Sequence, residues 1–323
     1  MYTLDLKTFK NRLTDLQNLN ERFAIDHHLE LKAGYDGTPV IDIKNDYAQS
    51  IISLKGGQVM TFRPHHDPNP VLWLSGLASL NPNKPIRGGI PVCWPWFGHH
   101  LSDPNKPAHG FARTIVWTLS ETKVTAEGAT QIVLSLENHD NIRALWPYAF
   151  QLETVITIGA DLQVELVTRN TGNETFTLGE ALHSYFNVSE VTQISIHGLE
   201  NSQYIDTVAQ LEGEPETGPI QINAEMDRVY PNSTADCLLQ DIGFNRQIRI
   251  QKTGSQTTVV WNPWIEKAAR LGDLGYQNYL RMVCIESANA ANNIVTVAPS
   301  EEHRLQTVIT VEGLSPFPSN YNS

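Results

Sequence analysis

The chain has 323 residues, of which 41% are hydrophobic and only 18% charged, so it carries material for a sizeable core and cannot be wholesale disordered. Its 23 Lys and Arg against 35 Asp and Glu leave a formal charge of −12, which excludes the basic footprint of a nucleic-acid binder and repels an anionic membrane surface. No apolar run approaches the ~18 residues of a membrane span and the N-terminus lacks an apolar signal core, so a soluble, cytoplasmic protein is expected; a monomer is expected as well.

Leu4, Phe9, Leu13, Leu16, Leu19 and Phe23 recur at helical spacing and predict a helix, set apart as an extension over residues 1–25. The period then changes. LELKAG, PVIDIK, SIISLKGG and QVMTFRP alternate apolar and polar residues over short runs. Residues 64–113, rich in Pro, Gly, His and Trp, interrupt the strands, and a loop region of that length in a compact domain is usually functional. Alternation returns in QIVLSLEN, FQLETVITIG, LQVELVTRN, TFTLGEALHSYF and QISIHG, and again in RQIRIQ, QTTVVWN, YLRMVCIES, NIVTVA and QTVITVE. A short helix is expected at IEKAARLGDLG. About fourteen strand candidates separated by turn residues predict an all-β, antiparallel sandwich or barrel, built as one domain over residues 26–323. There is no βαβ alternation and no glycine-rich dinucleotide turn, which excludes a doubly wound nucleotide fold. Cys93, Cys237 and Cys284 are odd in number and far apart, the wrong arrangement for a disulfide framework or a zinc knuckle.

Five features carry candidate chemistry. Arg87-Gly88-Gly89 offers a rigid donor fork beside backbone that can approach a ligand closely, although a surface turn with a solvated Arg fits the same residues. Arg113 in HGFAR has the same two readings, and positive charge is scarce enough here that it must be concentrated to hold an anion. In GEALHSYFNVSE, strand alternation places His183 and Tyr185 on one face and Leu182, Ser184 and Phe186 on the other. His183 is then either an acid–base group or a hydrogen-bonded structural histidine. Glu180 and His183 imitate a metal-binding E-x-x-H pair, but on a strand they point to opposite faces. Glu286 closes the apolar run Met282 to Ile285; it is either a desolvated base or a strand-end carboxylate turned to solvent. The doublets His27-His28, His65-His66 and His99-His100 diverge on extended backbone, and no H-x-H or H-E-x-x-H occurs, so no metal is expected. Trp94, Trp96 and Phe97 of WPWF are candidates for lining a ligand cleft, while Trp117, Trp261 and Trp264 either stack on sugar or fill the core.

The segments IRGGIPVCWPWFG, HGFAR, EALHSYFNV, WNPW and VCIESANA, in that order, resemble the D-hexose-6-phosphate mutarotase (glucose-6-phosphate 1-epimerase) family, a branch of the aldose 1-epimerase group. The resemblance spans about residues 30–312 and leaves the N-terminal helix outside. It implies a galactose-mutarotase-like antiparallel super-sandwich that interconverts the α and β anomers of a hexose 6-phosphate, glucose 6-phosphate first, with no cofactor. By motif, His183 matches the family's general acid and Glu286 its general base. Arg87 and Arg113 match the residues that hold phosphate and sugar, Asp227 in EMDRVY a substrate-binding aspartate, and His109 a cleft histidine. Ala108 stands where some members carry Gln, which puts one hydrogen bond to the substrate in doubt. Two rivals remain: a non-catalytic carbohydrate-binding sandwich, and a mutarotase for unphosphorylated aldoses. The first requires that His183 and Glu286 do not share a cavity; the second requires that Arg87 and Arg113 lie away from it.

Overall fold

Neighbouring segments pair in order along much of the chain in the computed structural model, which describes residues 6–34, 37–77, 84–138 and 140–314. Twenty-two strand segments are found among the described residues, and every pairing between them is antiparallel. Leu29–Ala33, Pro39–Lys44, Ala48–Ser53 and Gln58–Pro64 form a four-stranded meander. One eight-stranded sheet is built around the long strands Phe150–Ile158, Leu162–Asn170, Arg246–Thr253 and Glu302–Gly313. A second eight-stranded sheet has Met226–Pro231, Thr257–Asn262 and Met282–Asn289 at its centre, with Glu180–Leu182, Tyr185–Asn187 and Val92–Cys93 completing one side.

The long strands follow the alternation of their sequence. In Phe150–Ile158 the side chains of Phe150, Leu152, Thr154, Ile156 and Ile158 are buried, and those between them are half-exposed. These three sheets feed one main core, for example Ile41 and Phe62 from the meander, Ile132 and Leu152 from the first large sheet, and Leu182, Phe186, Val260, Val283 and Ile285 from the second, and the two-stranded pair Phe176–Leu178 with Val295–Val297 adds Phe176 and Leu178. Burying each such side chain fully contributes about 1.5–3 kcal/mol.

The second large sheet is covered on both faces, and this positions the site. Its outer face carries Tyr185, Trp261, Met282 and Cys284 in one small cluster and Cys93, Ala181, Val229, Val259 and Ala288 in another. Two-sided burial explains why all eight residues of Met282–Asn289 are buried. The strand also runs past the point where the sequence pattern ends it. Glu286 therefore sits in mid-strand, only 2% exposed, and the strand-end carboxylate in solvent is ruled out.

The expected N-terminal helix spans Leu6–Phe23. Leu16, Leu19 and Phe23 pack on the main core, and Asn20 clamps Leu31 by donating to its carbonyl at 2.9 Å and accepting from its N–H at 2.8 Å. Trp264–Arg270 forms the short helix after WNPW. Among the described residues no helix is long and apolar enough to cross a membrane.

Two local expectations change. TFTLGEALHSYF is not one strand but Phe176–Leu178, Glu180–Leu182 and Tyr185–Asn187, because its parts pair with different partners. The segment 64–113 is stitched to the sheets by Val92–Cys93 and by the bridges Leu72↔Phe186, Leu74↔Gly88, Val59↔Ile90 and Trp94↔Gly110; its residues 78–83 lie outside the described ones. Its start is pinned by Arg246, 2% exposed, which pairs with Asp67 at 3.0 Å and donates to the carbonyls of Asn69, Pro70 and Asn187.

Candidate active site

Register brings the acid–base candidates together. Leu182 pairs with Ser287 and Tyr185 with Cys284, so the same register carried through the intervening residues sets His183 opposite Glu286. The N–H of Ile285 donates to the carbonyl of Ser184 at 3.2 Å, which holds the two chains together across that gap. On its other side this segment is fixed by the R-G-G-I-P stretch: the N–H of His183 donates to Pro91 O and that of Tyr185 to Gly89 O. Gly88 and Gly89 are required by neighbouring backbone rather than by a ligand. Both have positive φ, and a Cβ would press Gly88 against the carbonyl of Trp73 and overlap that of Val59 at Gly89.

His183 Nε2 lies 3.3 Å from Glu286 Oε1, with the two side chains 10% and 2% exposed. The imidazole stacks on Tyr185, ring centroids 4.8 Å apart and planes 9° from parallel, and Trp261 stands edge-on to both rings. His183 and Tyr185 thus share a face, while Leu182 and Phe186 enter the main core, as alternation requires. Glu180 points away and is held by His303 at 2.8 Å and Asn289 at 2.9 Å, so the E-x-x-H pair is indeed split between faces.

Burial pushes the Glu286 carboxyl well above its ordinary range; the negative charge of Asp227 adds to this and Arg113 opposes it. Burial also pushes the His183 imidazole well below its ordinary value, with His109, Arg113 and Arg87 lowering it further. Both shifts favour uncharged forms. The form that burial favours is a carboxyl holding its proton opposite an uncharged imidazole, one proton for the two groups. Glu286 Oε2 and His183 Nδ1 have no hydrogen-bond partner among the described residues.

Around this pair the structure gathers the other candidate residues. Arg87 donates from Nε to Asp273 Oδ1 at 3.2 Å and from Nη1 to the Tyr185 hydroxyl at 3.1 Å. Burial works against its charge, but Tyr185 and Asp273 outweigh it and the pKa is raised. Arg113, in the turn Ala112–Thr114, donates to the carbonyl of Ala108 at 2.7 Å, and its charge is felt at His109, His183 and Glu286. His109, with φ of 62°, places its ring 5.8 Å from that of His183; burial, then Arg113, lowers its pKa to about 3, so it is neutral at physiological pH. Asp227 pairs in register with Trp261 and lies 3.6 Å from Lys267 Nζ; burial raises its pKa.

Of the aromatic candidates, Trp94, Trp96 and Trp117 belong to the main core. Trp94 is fully buried and donates to Thr168 at 3.1 Å, so its place is set by packing and not by a cleft. From WPWF only Phe97 reaches the site, edge-on to His109 with centroids 4.8 Å apart. Sequence reasoning assigns no role to Tyr185, although alternation places it beside His183. It misses Asp273, Lys267 and Trp73, whose ring stacks on Tyr185 at 5.9 Å. Asp273 meets Arg87 across 186 residues of chain, a contact with no local signal. The described His, Cys, Asp and Glu side chains offer one cluster able to hold a metal: His183, Cys284 and Glu286, with ligand atoms within 4.8 Å of one another.

Comparison with known proteins identifies the family and the fold. Residues 39–310 match the aldose 1-epimerase family. A protein of Cenchrus ciliaris, provisionally named glucose-6-phosphate 1-epimerase, is 32% identical over 281 residues, covering 84% of this chain and 82% of its own. One from Escherichia coli K12 under the same provisional name is 30% identical, covering 84% and 90%. The crystal structure of a Salmonella typhimurium protein, provisionally described as a mutarotase, matches with a TM-score of 0.83 at 27% identity, over 90% of this chain and 96% of that one. The antiparallel super-sandwich with its N-terminal helix is the mutarotase fold, and the chain belongs to the aldose 1-epimerase family.

Proposed function

We propose that this protein interconverts the α and β anomers of a hexose 6-phosphate, glucose 6-phosphate foremost, with His183 and Glu286 as the acid–base pair. The observation that carries the reading is the buried pair itself: an imidazole and a carboxyl 3.3 Å apart, both desolvated, with the charges of Arg87 and Arg113 felt at the imidazole. Opening a hemiacetal removes a proton from O1 and adds one to the ring oxygen. In the ion-pair form, one proton shift away from the uncharged form, Glu286 accepts the O1 proton while His183 donates its own to the ring oxygen. The C1–O5 bond breaks and the C1=O1 double bond forms. Rotation about C1–C2 presents the other carbonyl face, and closure reverses both transfers. The pair begins and ends with one proton, so no net redox change occurs. Each positioned group contributes typically ~10²–10⁴-fold.

Arg87 and Arg113 supply the positive charge for the 6-phosphate in a chain of net −12, and Asp227 and His109 bind the sugar. His109, neutral, offers hydrogen bonds without adding charge beside the pair. All of these residues lie within 26–323, which we take as the catalytic domain. A purely sugar-binding sandwich has no need of two desolvated titratable groups in contact, which cost stability unless used. The test is two-dimensional NMR exchange between the α and β signals of glucose 6-phosphate, and separately of glucose, with and without protein. Acceleration of the phosphorylated sugar well beyond that of glucose is expected. Equal acceleration of both would favour the unphosphorylated substrate, and none of either would leave a binding protein.

A further inference from the structure

We propose that the floor of this site also binds a thiophilic divalent cation, Zn²⁺ above all, through His183, Cys284 and Glu286, and that occupancy shuts off turnover. The second half rests on the acid–base reading above; the first does not. Cys284 and Glu286 are alternate residues of one strand and project from the same face, while Cys284 lies across from Tyr185, the ring on which His183 stacks. A nitrogen, a sulfur and an oxygen from three buried side chains therefore meet with their ligand atoms inside 4.8 Å.

The geometry is close to that of a tetrahedral zinc site. Zn–N and Zn–O bonds of about 2.0–2.2 Å imply an N···O edge of about 3.3 Å, and His183 Nε2 is already 3.3 Å from Glu286 Oε1. A Zn–S bond of about 2.3 Å calls for sulfur edges of about 3.6 Å, so Cys284 Sγ has to move inward by about 1.2 Å at most. The donor set selects the metal. Mg²⁺ and Ca²⁺ prefer oxygen alone, whereas thiolate, imidazole and carboxylate together suit zinc. Glu286 Oε2, buried and without a hydrogen-bond partner among the described residues, gains a cation to face. Asp227 favours the added charge, while Arg87 and Arg113 oppose it and hold the affinity below that of a closed structural site. Binding releases the thiol proton and the proton of the His183–Glu286 pair to solvent. The metal then occupies the same nitrogen and oxygen that must move protons, so it inhibits and does not activate.

The experiment adds ZnCl₂ to wild type, Cys284→Ala and Cys284→Ser, follows anomer exchange, and in parallel titrates each with CoCl₂ while recording the near-ultraviolet thiolate-to-cobalt band. Wild type should be inhibited and restored by EDTA. The Ala variant should turn over like wild type yet need at least about tenfold more zinc for the same inhibition. The cobalt band should appear in wild type and vanish in both variants. Zinc-insensitive wild type without a band overturns the proposal. So does equal inhibition of the Cys284 variants, which would move the effect to other histidines. If wild type shows no exchange on any sugar, the acid–base reading fails, while the cobalt titration still decides the metal site.

Discussion

Glu286→Gln tests the acid–base assignment with almost no change in shape. The variant keeps volume and polarity but cannot take a proton from O1, and its neighbour His183 loses the partner with which it shares one. Loss of a general base costs ~10²–10⁴-fold, or about 2.7–5.5 kcal/mol in the barrier at 1.36 kcal/mol per decade. His183→Ala should cost a similar amount. Because a single proton passes between groups 3.3 Å apart, the double variant should be little slower than the slower single one. Stability gives an independent control. The folded pKa of Glu286 is raised above its ordinary 4.5, so its contribution to folding is complete below that value and declines as pH rises toward the folded pKa. Gln has no such loss. Glu286→Gln should therefore melt no lower than wild type at pH 7, with an advantage that grows from pH 5 upward. Exchange is read by NMR after subtracting the spontaneous rate. Near-wild-type exchange in the Gln variant, or a double variant whose loss is the product of the two single losses, would refute the shared-proton mechanism.

Arg87→Ala and Arg113→Ala should each lower kcat/KM for glucose 6-phosphate by about ten- to a hundredfold, the worth of charge-assisted bonds of about 1.5–3 kcal/mol, with a much smaller loss on glucose; equal losses would make the arginines structural. Arg246→Met leaves Asp67, 6% exposed, as an uncompensated buried charge, and should destabilise the fold by about 3–5 kcal/mol in chemical denaturation; a loss under about 1 kcal/mol would mean that water reaches the pair.

Local chemistry is readable in the sequence where only one face of a strand has to be buried. Phe150–Ile158 alternates cleanly, and the same logic puts His183 and Tyr185 together and Leu182 and Phe186 in the core. It fails where both faces are covered. Met282–Asn289 is buried throughout, so its pattern carries no alternation, and Glu286 reads as a terminus when it is the middle of the strand. WPWF misleads for a related reason: aromatic residues between prolines and glycines suggest a cleft, but Trp94 and Trp96 fill the core beneath the loop they belong to. Gly88 and Gly89 likewise signal close approach correctly; what approaches is the backbone of Trp73 and Val59.

The feature least accessible from sequence is the one on which the proposed chemistry depends. A lone Glu and a lone His 103 positions apart come within 3.3 Å only because two pairings, Leu182 with Ser287 and Tyr185 with Cys284, fix the register between them. A one-residue slip would send Glu286 to the face of Val283 and Ile285, into the apolar core, where a carboxyl has no partner at all. The small residues Ala181 and Ala288 and the tight glycines at 88 and 89 therefore matter to the proposed acid–base pair as much as its polar groups do. They let the strands and the R-G-G-I-P segment approach closely enough to hold that register. The same close packing supplies the desolvation that moves the two pKa values in opposite directions. Geometry and acid–base strength thus have one physical origin in this sheet.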